Sequence, residues 1–183
     1  MKRTIFAFWF IAFSSAAIVS AYSQAVPSGI QQVYTLRVGA LGSYFQPDYR
    51  GEGIAQTTNW MYGPGAYADF RVNRWIQPEI EVRWLRFHRP LASIDENTYS
   101  AGERLPIREF HRFTPYGKLL AGFGTGDFLD GDALVLTYGG GVDYRLNRKF
   151  TLRVPDFEYQ EWPVSNLTFR PYGFSAGVSY KIF

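Results

Sequence analysis

The chain has no cysteine among its 183 residues. That excludes disulfides, thiolate-held metals and a lipid-modified N-terminal cysteine. Histidine is scarce, with only His88 and His111, so nucleophile–base pairs have few places to form. After the first 25 residues no apolar run reaches the ~18 residues of a transmembrane helix. Helix-period stretches with caps are missing as well.

The first residues read as a targeting segment. Lys2 and Arg3 form a charged start, and Ile5 to Val19 carries no charge. Small residues follow, with Ser23 and Ala25, or Val19 and Ala21, placed for cleavage. The apolar run is shorter than the ~20 residues that span a bilayer. Residues 1–25 are therefore expected to be a signal peptide, and 26–183 the exported domain. Removing Lys2 and Arg3 takes 19 basic residues to 17, against 16 acidic ones. That balance gives no footprint for nucleic acid.

What the chain has instead is aromatics, at 19% of residues, and 18 glycines. From about residue 33 it reads as alternating segments broken by turn residues. Strands are expected at about 33–46, 60–73, 75–88, 97–107, 113–127, 133–147, 150–162 and 168–183. Eight strands are an even number, so both ends of the domain lie on one side. Turns at Asn73–Arg74, Asn147–Lys149 and Arg108–Arg112 are short. The alternate connections, about 47–59, 89–96, 128–132 and 163–167, are longer and rich in Gly, Asp, Asn and Pro.

The two faces differ. In LVLTYGGGVDYRLN, Leu134, Leu136, Tyr138, Val142 and Tyr144 alternate with Thr137, Gly139, Gly141, Asp143 and Arg145. In the last segment Phe174, Ala176, Val178, Tyr180 and Ile182 oppose Gly173, Ser175, Gly177, Ser179 and Lys181. Alternation alone also fits a soluble barrel with its apolar face inside. Charges in mid-strand and aromatics toward strand ends argue for an apolar exterior flanked by aromatic girdles. The fold class is all-β: an eight-stranded antiparallel up-and-down transmembrane barrel.

Its interior then carries Arg37, Arg71, Arg83, Arg104, Lys118, Arg145 and Arg153, with Asp69, Glu79, Glu81, Asp143, Asp156 and Glu158. So narrow a barrel has room only for side chains, and buried charges are costly unless paired. A charge-paired plug is expected, which disfavours a small-solute channel. In LRVPDFEYQEW the alternation slips between Arg153 and Asp156, and one extra residue at Pro155 repairs it. A β-bulge is expected there.

RFTPYGKLLAGFG (112–124), YGGGVDYRLN (138–147), FEYQEW (157–162) and FSAGVSYKIF (174–183) resemble the small outer-membrane barrels of the OmpA, OmpX and opacity-protein type. The resemblance covers about residues 33–183. It implies an integral protein of the cell outer membrane, monomeric, with both mature termini periplasmic, in contact with outer-membrane lipid and lipopolysaccharide. It further implies that the assembly machinery reads the C-terminal strand, through Gly177, Tyr180, Ile182 and Phe183. The family's usual ending sets an aromatic two places before the terminal one, whereas Tyr180 is three before Phe183. Either Ile182 is the last lipid-facing residue or the strand holds one extra residue.

Chemistry is weakly signalled. His88 and His111 fall on opposite sides of the membrane, and His88 is the sole rim histidine, within reach of Ser93 or Ser165 and Asp95 or Glu96. Asp127, Asp130 and Asp132 lack the order of a calcium loop. Arg50, Arg86, Arg89 and Arg170 near the outer rim suit lipopolysaccharide phosphates. No catalytic, cofactor or metal residue is assigned. The function expected is a non-enzymatic structural or surface-interaction role through the extracellular loops. The alternatives are an outer-leaflet lipid-modifying enzyme and, behind it, a narrow channel.

Overall fold

The computed structural model describes residues 34–47, 60–73, 75–89, 92–127, 131–164 and 167–183. The expected signal peptide and most of the longer loops lie outside them. Among the described residues nine strands form: β1 Thr35–Gln46, β2 Met61–Arg71, β3 Gln77–Arg89, β4 Ala92–Pro106, β5 Phe113–Gly126, β6 Ala133–Arg145, β7 Phe150–Val164, β8 Leu167–Phe169 and β9 Tyr172–Lys181. Each pairs antiparallel with its neighbour, and β9 pairs with both β7 and β1. The sheet thus closes on itself. β8 and β9 are two parts of the eighth stave, interrupted at Arg170–Pro171. Pro171 has no N–H for the ladder, but its carbonyl still accepts from Gln160 N at 2.8 Å.

Closure follows from the alternation. Along β1, Arg37, Gly39, Leu41, Ser43 and Phe45 are buried while Val38, Ala40, Gly42 and Tyr44 are exposed. The other strands repeat this, so the exterior is apolar. Aromatic pairs ring the end that holds Thr35 and Lys181: Tyr34 with Phe70, Phe113 with Tyr144, and Phe150 with Tyr180. A second set lies toward the other end: Tyr44 with Trp60, Tyr138 with Tyr159, and Phe157 with Phe174. Between them the surface is aliphatic, with Val38, Ile80, Leu119 and Val178 all exposed.

Two turns at the terminal end share one device. Asn73 Oδ1 accepts from Trp75 N and Ile76 N at 2.7 and 2.9 Å. Asn147 Oδ1 accepts from Lys149 N and Phe150 N, both at 2.8 Å. Each asparagine closes its turn by imitating a backbone acceptor. The third turn, between Phe110 and Phe113, puts His111 at φ 56°, where a Cβ is disfavoured.

The alternation slip resolves as an extra residue in β7. Arg153 pairs with Gly177 and Asp156 with Ser175, while across β6 Arg153 faces Asp143 and Asp156 faces Gly141. Val154 and Pro155 both point outward, so Arg153 and Asp156 are both buried.

Two of the connections read as longer are short in the structure: 89–96, and 163–167, where Val164 pairs with Leu167. Residues 89–96 are not a long connection, because β3 and β4 stay paired as far as Arg89 opposite Ala92. Backbone pairing needs no apolar face, so the hairpin outruns its periodic signal. The last stave begins at Leu167, and its regular pairing ends at Lys181, before Ile182 and Phe183. No register shift separates β9 from β1, so Ile182 is the last residue on the lipid-facing parity.

Candidate functional site: a blocked lumen with a cationic mouth

The barrel interior divides into two ion-pair clusters, an apolar cap and an open mouth. In the cluster nearer the end that holds Thr35 and Lys181, β1 supplies Arg37, which donates to Asp69 at 2.8 Å, Asp143 at 2.9 Å and Gln77 at 3.4 Å. Arg104 reaches Asp143 and Gln77, each at 2.6 Å. Arg153 donates to Glu79 at 2.7 Å. The Arg153 guanidinium lies 3.7 Å from the centre of the Tyr67 ring, and that of Arg104 lies 3.8 Å from the centre of Tyr116. Three cations meet three carboxylates.

The second cluster is more acidic. Arg83 clasps Glu158 through two bonds of 2.6 Å and reaches Glu81 at 2.5 Å. Lys118 Nζ contacts Glu81 at 3.1 Å, Asp156 at 2.7 Å and also Glu158. Glu81, Asp156 and Glu158 lie close enough to hold a metal ion, but the Lys118 ammonium occupies that position. Guanidinium forks and a compact ammonium satisfy most of these oxygens, which makes burial of so many charges tolerable.

Toward the other end the interior becomes apolar. Phe45, Met61 and Leu85 form one buried group, with Phe87 against it. Ala133, Val135, Trp162 and Phe169 form another. Glycines make room for these rings and for Tyr67. A Cβ on Gly39 would lie 2.5 Å from the Tyr67 ring. The face read as glycine and charge thus turns apolar over its last third.

Most of the expected interior charges enter the clusters: Arg37, Asp69, Glu79, Glu81, Arg83, Arg104, Lys118, Asp143, Arg153, Asp156 and Glu158 are buried. Arg145 and Arg71 do not. Arg145 shares the inward parity but sits at the mouth, half-exposed, paired with Glu109 at 2.7 Å and donating to His111 O at 3.0 Å. Arg71 is half-buried beside it. Both lie in the last residue or two of a strand, where inward no longer means enclosed. Glu96, read as a rim residue, is fully buried, with Oε1 unpartnered. Only the extended β3–β4 hairpin could have revealed it.

The two histidines stay apart. His111 is exposed in the terminal-end turn, and His88 lies near the far end of β3. Asp127 is structural: its Oδ2 accepts from Asp95 N at 2.9 Å. Asp132 is exposed, and Asp130 lies outside the described residues. Arg86 is engaged by Asp95 at 3.3 Å and Arg170 by Glu161 at 3.7 Å. Arg50 and the side chain of Arg89 lie outside the described residues.

An antiparallel barrel without edges, polar within and apolar with aromatic rings without, is the construction of a protein that crosses a membrane by strands. No helix among the described residues is long and apolar enough to do so. The chain belongs to the outer membrane protein beta-barrel domain family, whose model matches residues 11–181, and its place is the outer membrane. Neisserial surface protein A superposes with a TM-score of 0.62 at 14% identity, over 81% of this chain and 97% of that one. Ail, the attachment invasion locus protein of Yersinia pestis, gives 0.53 at 17%, over 84% and 100%. The N-terminal barrel domain of Pseudomonas aeruginosa OprF gives 0.52 at 11%, over 81% and 97%. At these identities the likeness is one of fold. No curated protein matches the sequence.

Proposed function

We propose that the protein is a non-enzymatic outer-membrane barrel whose role is structural or adhesive, exercised at the cell surface by its longer connections. In this reading the terminal end faces the periplasm, and the β3–β4 hairpin projects outward among lipopolysaccharide. The protein is a monomer whose closing strand, through Gly177, Tyr180, Ile182 and Phe183, is read by the assembly machinery. The observation that carries the reading is the blocked lumen: two ion-pair clusters lie beneath an apolar cap. An interior filled by paired charges and packed side chains leaves the outer surface as the place for interaction. Two of the similar folds bear names of that kind, a surface protein and an attachment locus protein.

Two measurements test this. In planar bilayers the purified barrel should give no resolved single-channel steps; steady steps would return the channel to first place. Cells displaying the protein should adhere to protein- or glycan-coated surfaces better than cells lacking it, and replacing residues 48–59 by a short turn should remove the difference. Equal adhesion with and without the protein would end the adhesive reading.

A second reading, an outer-leaflet lipid-modifying enzyme, has one observation behind it. The β3–β4 register places His88 directly opposite Ser93. Lipid modification by the wild type and its loss in His88→Ala would favour it over the first.

A further inference from the structure

At the terminal end the lumen opens into a cavity of about 580 Å³. Six cations line it: Arg37, Arg71, Arg112, Arg145, Arg148 and Lys181. Among the described residues only two carboxylates join them, Glu109 and Asp143, and both are already engaged. Asp143 holds Arg37 and Arg104, and Glu109 holds Arg145. Among the described residues no carboxylate comes within ion-pair distance of Arg71, Arg112, Arg148 or Lys181. The Nε of Arg71 is buried without a hydrogen-bond partner. Elsewhere in this lumen cations meet carboxylates at contact distance, so a surplus of four positive charges around one concavity is a departure from the barrel's own rule.

We propose that this mouth binds a phosphate group, presented on a soluble phosphoester or on the headgroup of an anionic phospholipid in the adjacent leaflet. A phosphomonoester carries up to two charges and three strong acceptor oxygens, and the phosphodiester of a headgroup one charge shared by two. Guanidinium forks match those oxygens in pairs, which a halide cannot exploit. Arg71 anchors the group from the half-buried wall. Arg112 and Arg148, on the β4–β5 and β6–β7 turns, close on it from the rim. Thr114 and Thr151 add neutral donors on the same wall. The cavity stands at the level of the Phe113–Tyr144 and Phe150–Tyr180 pairs, where an aromatic girdle meets headgroups, so a lipid phosphate is within reach as well as a free one.

The test uses the refolded barrel in two settings. In zwitterionic detergent, inorganic phosphate and glycerol 3-phosphate are titrated against the Nε–H signals of the arginines, with chloride at matched ionic strength as control. In nanodiscs, phosphatidylglycerol replaces phosphatidylcholine at constant protein. A saturable shift centred on Arg71 with the soluble phosphates points to a free ligand. A shift seen only with phosphatidylglycerol points to the headgroup; either supports the site. Arg71→Gln/Arg112→Gln/Arg148→Gln should lower affinity at least tenfold. If that variant does not refold, Arg112→Gln/Arg148→Gln alters only exposed turn residues and should still lower affinity at least threefold. No saturable shift in either setting, a response matched by chloride, or one retained in the variants overturns the proposal.

Discussion

Lys118 offers the sharpest test of the plug. Its ammonium touches three carboxylates in a cluster that contains, among the described residues, only one other cation, Arg83. At an effective dielectric of ~20, one contact at 2.7 Å corresponds to about 6 kcal/mol of attraction. Desolvation offsets most of that sum, and removing one partner of a buried pair typically costs about 3–5 kcal/mol. Lys118→Met keeps the stem and removes the charge, taking the cluster from two cations against three carboxylates to one against three. Stability should fall by about 3–5 kcal/mol, read as urea unfolding in lipid vesicles by the heat-dependent mobility shift in SDS. Adding Glu81→Gln restores the cluster's net charge of −1, and the double variant should regain a large share of the loss. Wild-type stability in Lys118→Met, or a double variant whose costs merely add, would refute the reasoning. Additivity would mean that the two groups do not act on each other.

Other perturbations probe the frame. Deleting Pro155 removes the extra residue of β7 and leaves Arg153, Val154 and Asp156 in regular alternation, so Asp156 and Glu158 should still face the lumen; a heat-modifiable band should be retained, and its loss would contradict the register. His111→Gly relieves a left-handed backbone at the Phe110–Phe113 turn and should stabilise by about 0.5–1 kcal/mol, measured by the same urea titration. Gly39→Val drives a side chain into the Tyr67 ring and should cost about 1–3 kcal/mol, whereas Gly42→Val, which has open space around it, should cost much less.

How far each feature could be read depends on how local its cause is. The outward set of β9, from Phe174 to Tyr180, follows from period-two alternation, as does the inward set of β6 that includes Asp143. The extra residue near Pro155 was legible because parity must be restored somewhere between Arg153 and Asp156. The apolar cap was not. Phe45, Met61, Leu85 and Trp162 come from four different strands, and each merely continues its own strand's inward parity. Nothing local marks the level at which the interior changes from charge to hydrocarbon.

The sequence by itself therefore determined the strands, their faces and the membrane they require, since a strand's side-chain period is a property of the covalent backbone. Only closure of the barrel decided which charges meet. Arg83 and Glu158 are 75 residues apart and Arg37 and Asp143 are 106 apart, and such partners are chosen by register around the whole circumference. Closure also separated the enclosed cations from those at the mouth. Arg145 and Arg153 look alike in sequence, but Arg153 is surrounded by staves, whereas Arg145 stands where the wall ends and water begins.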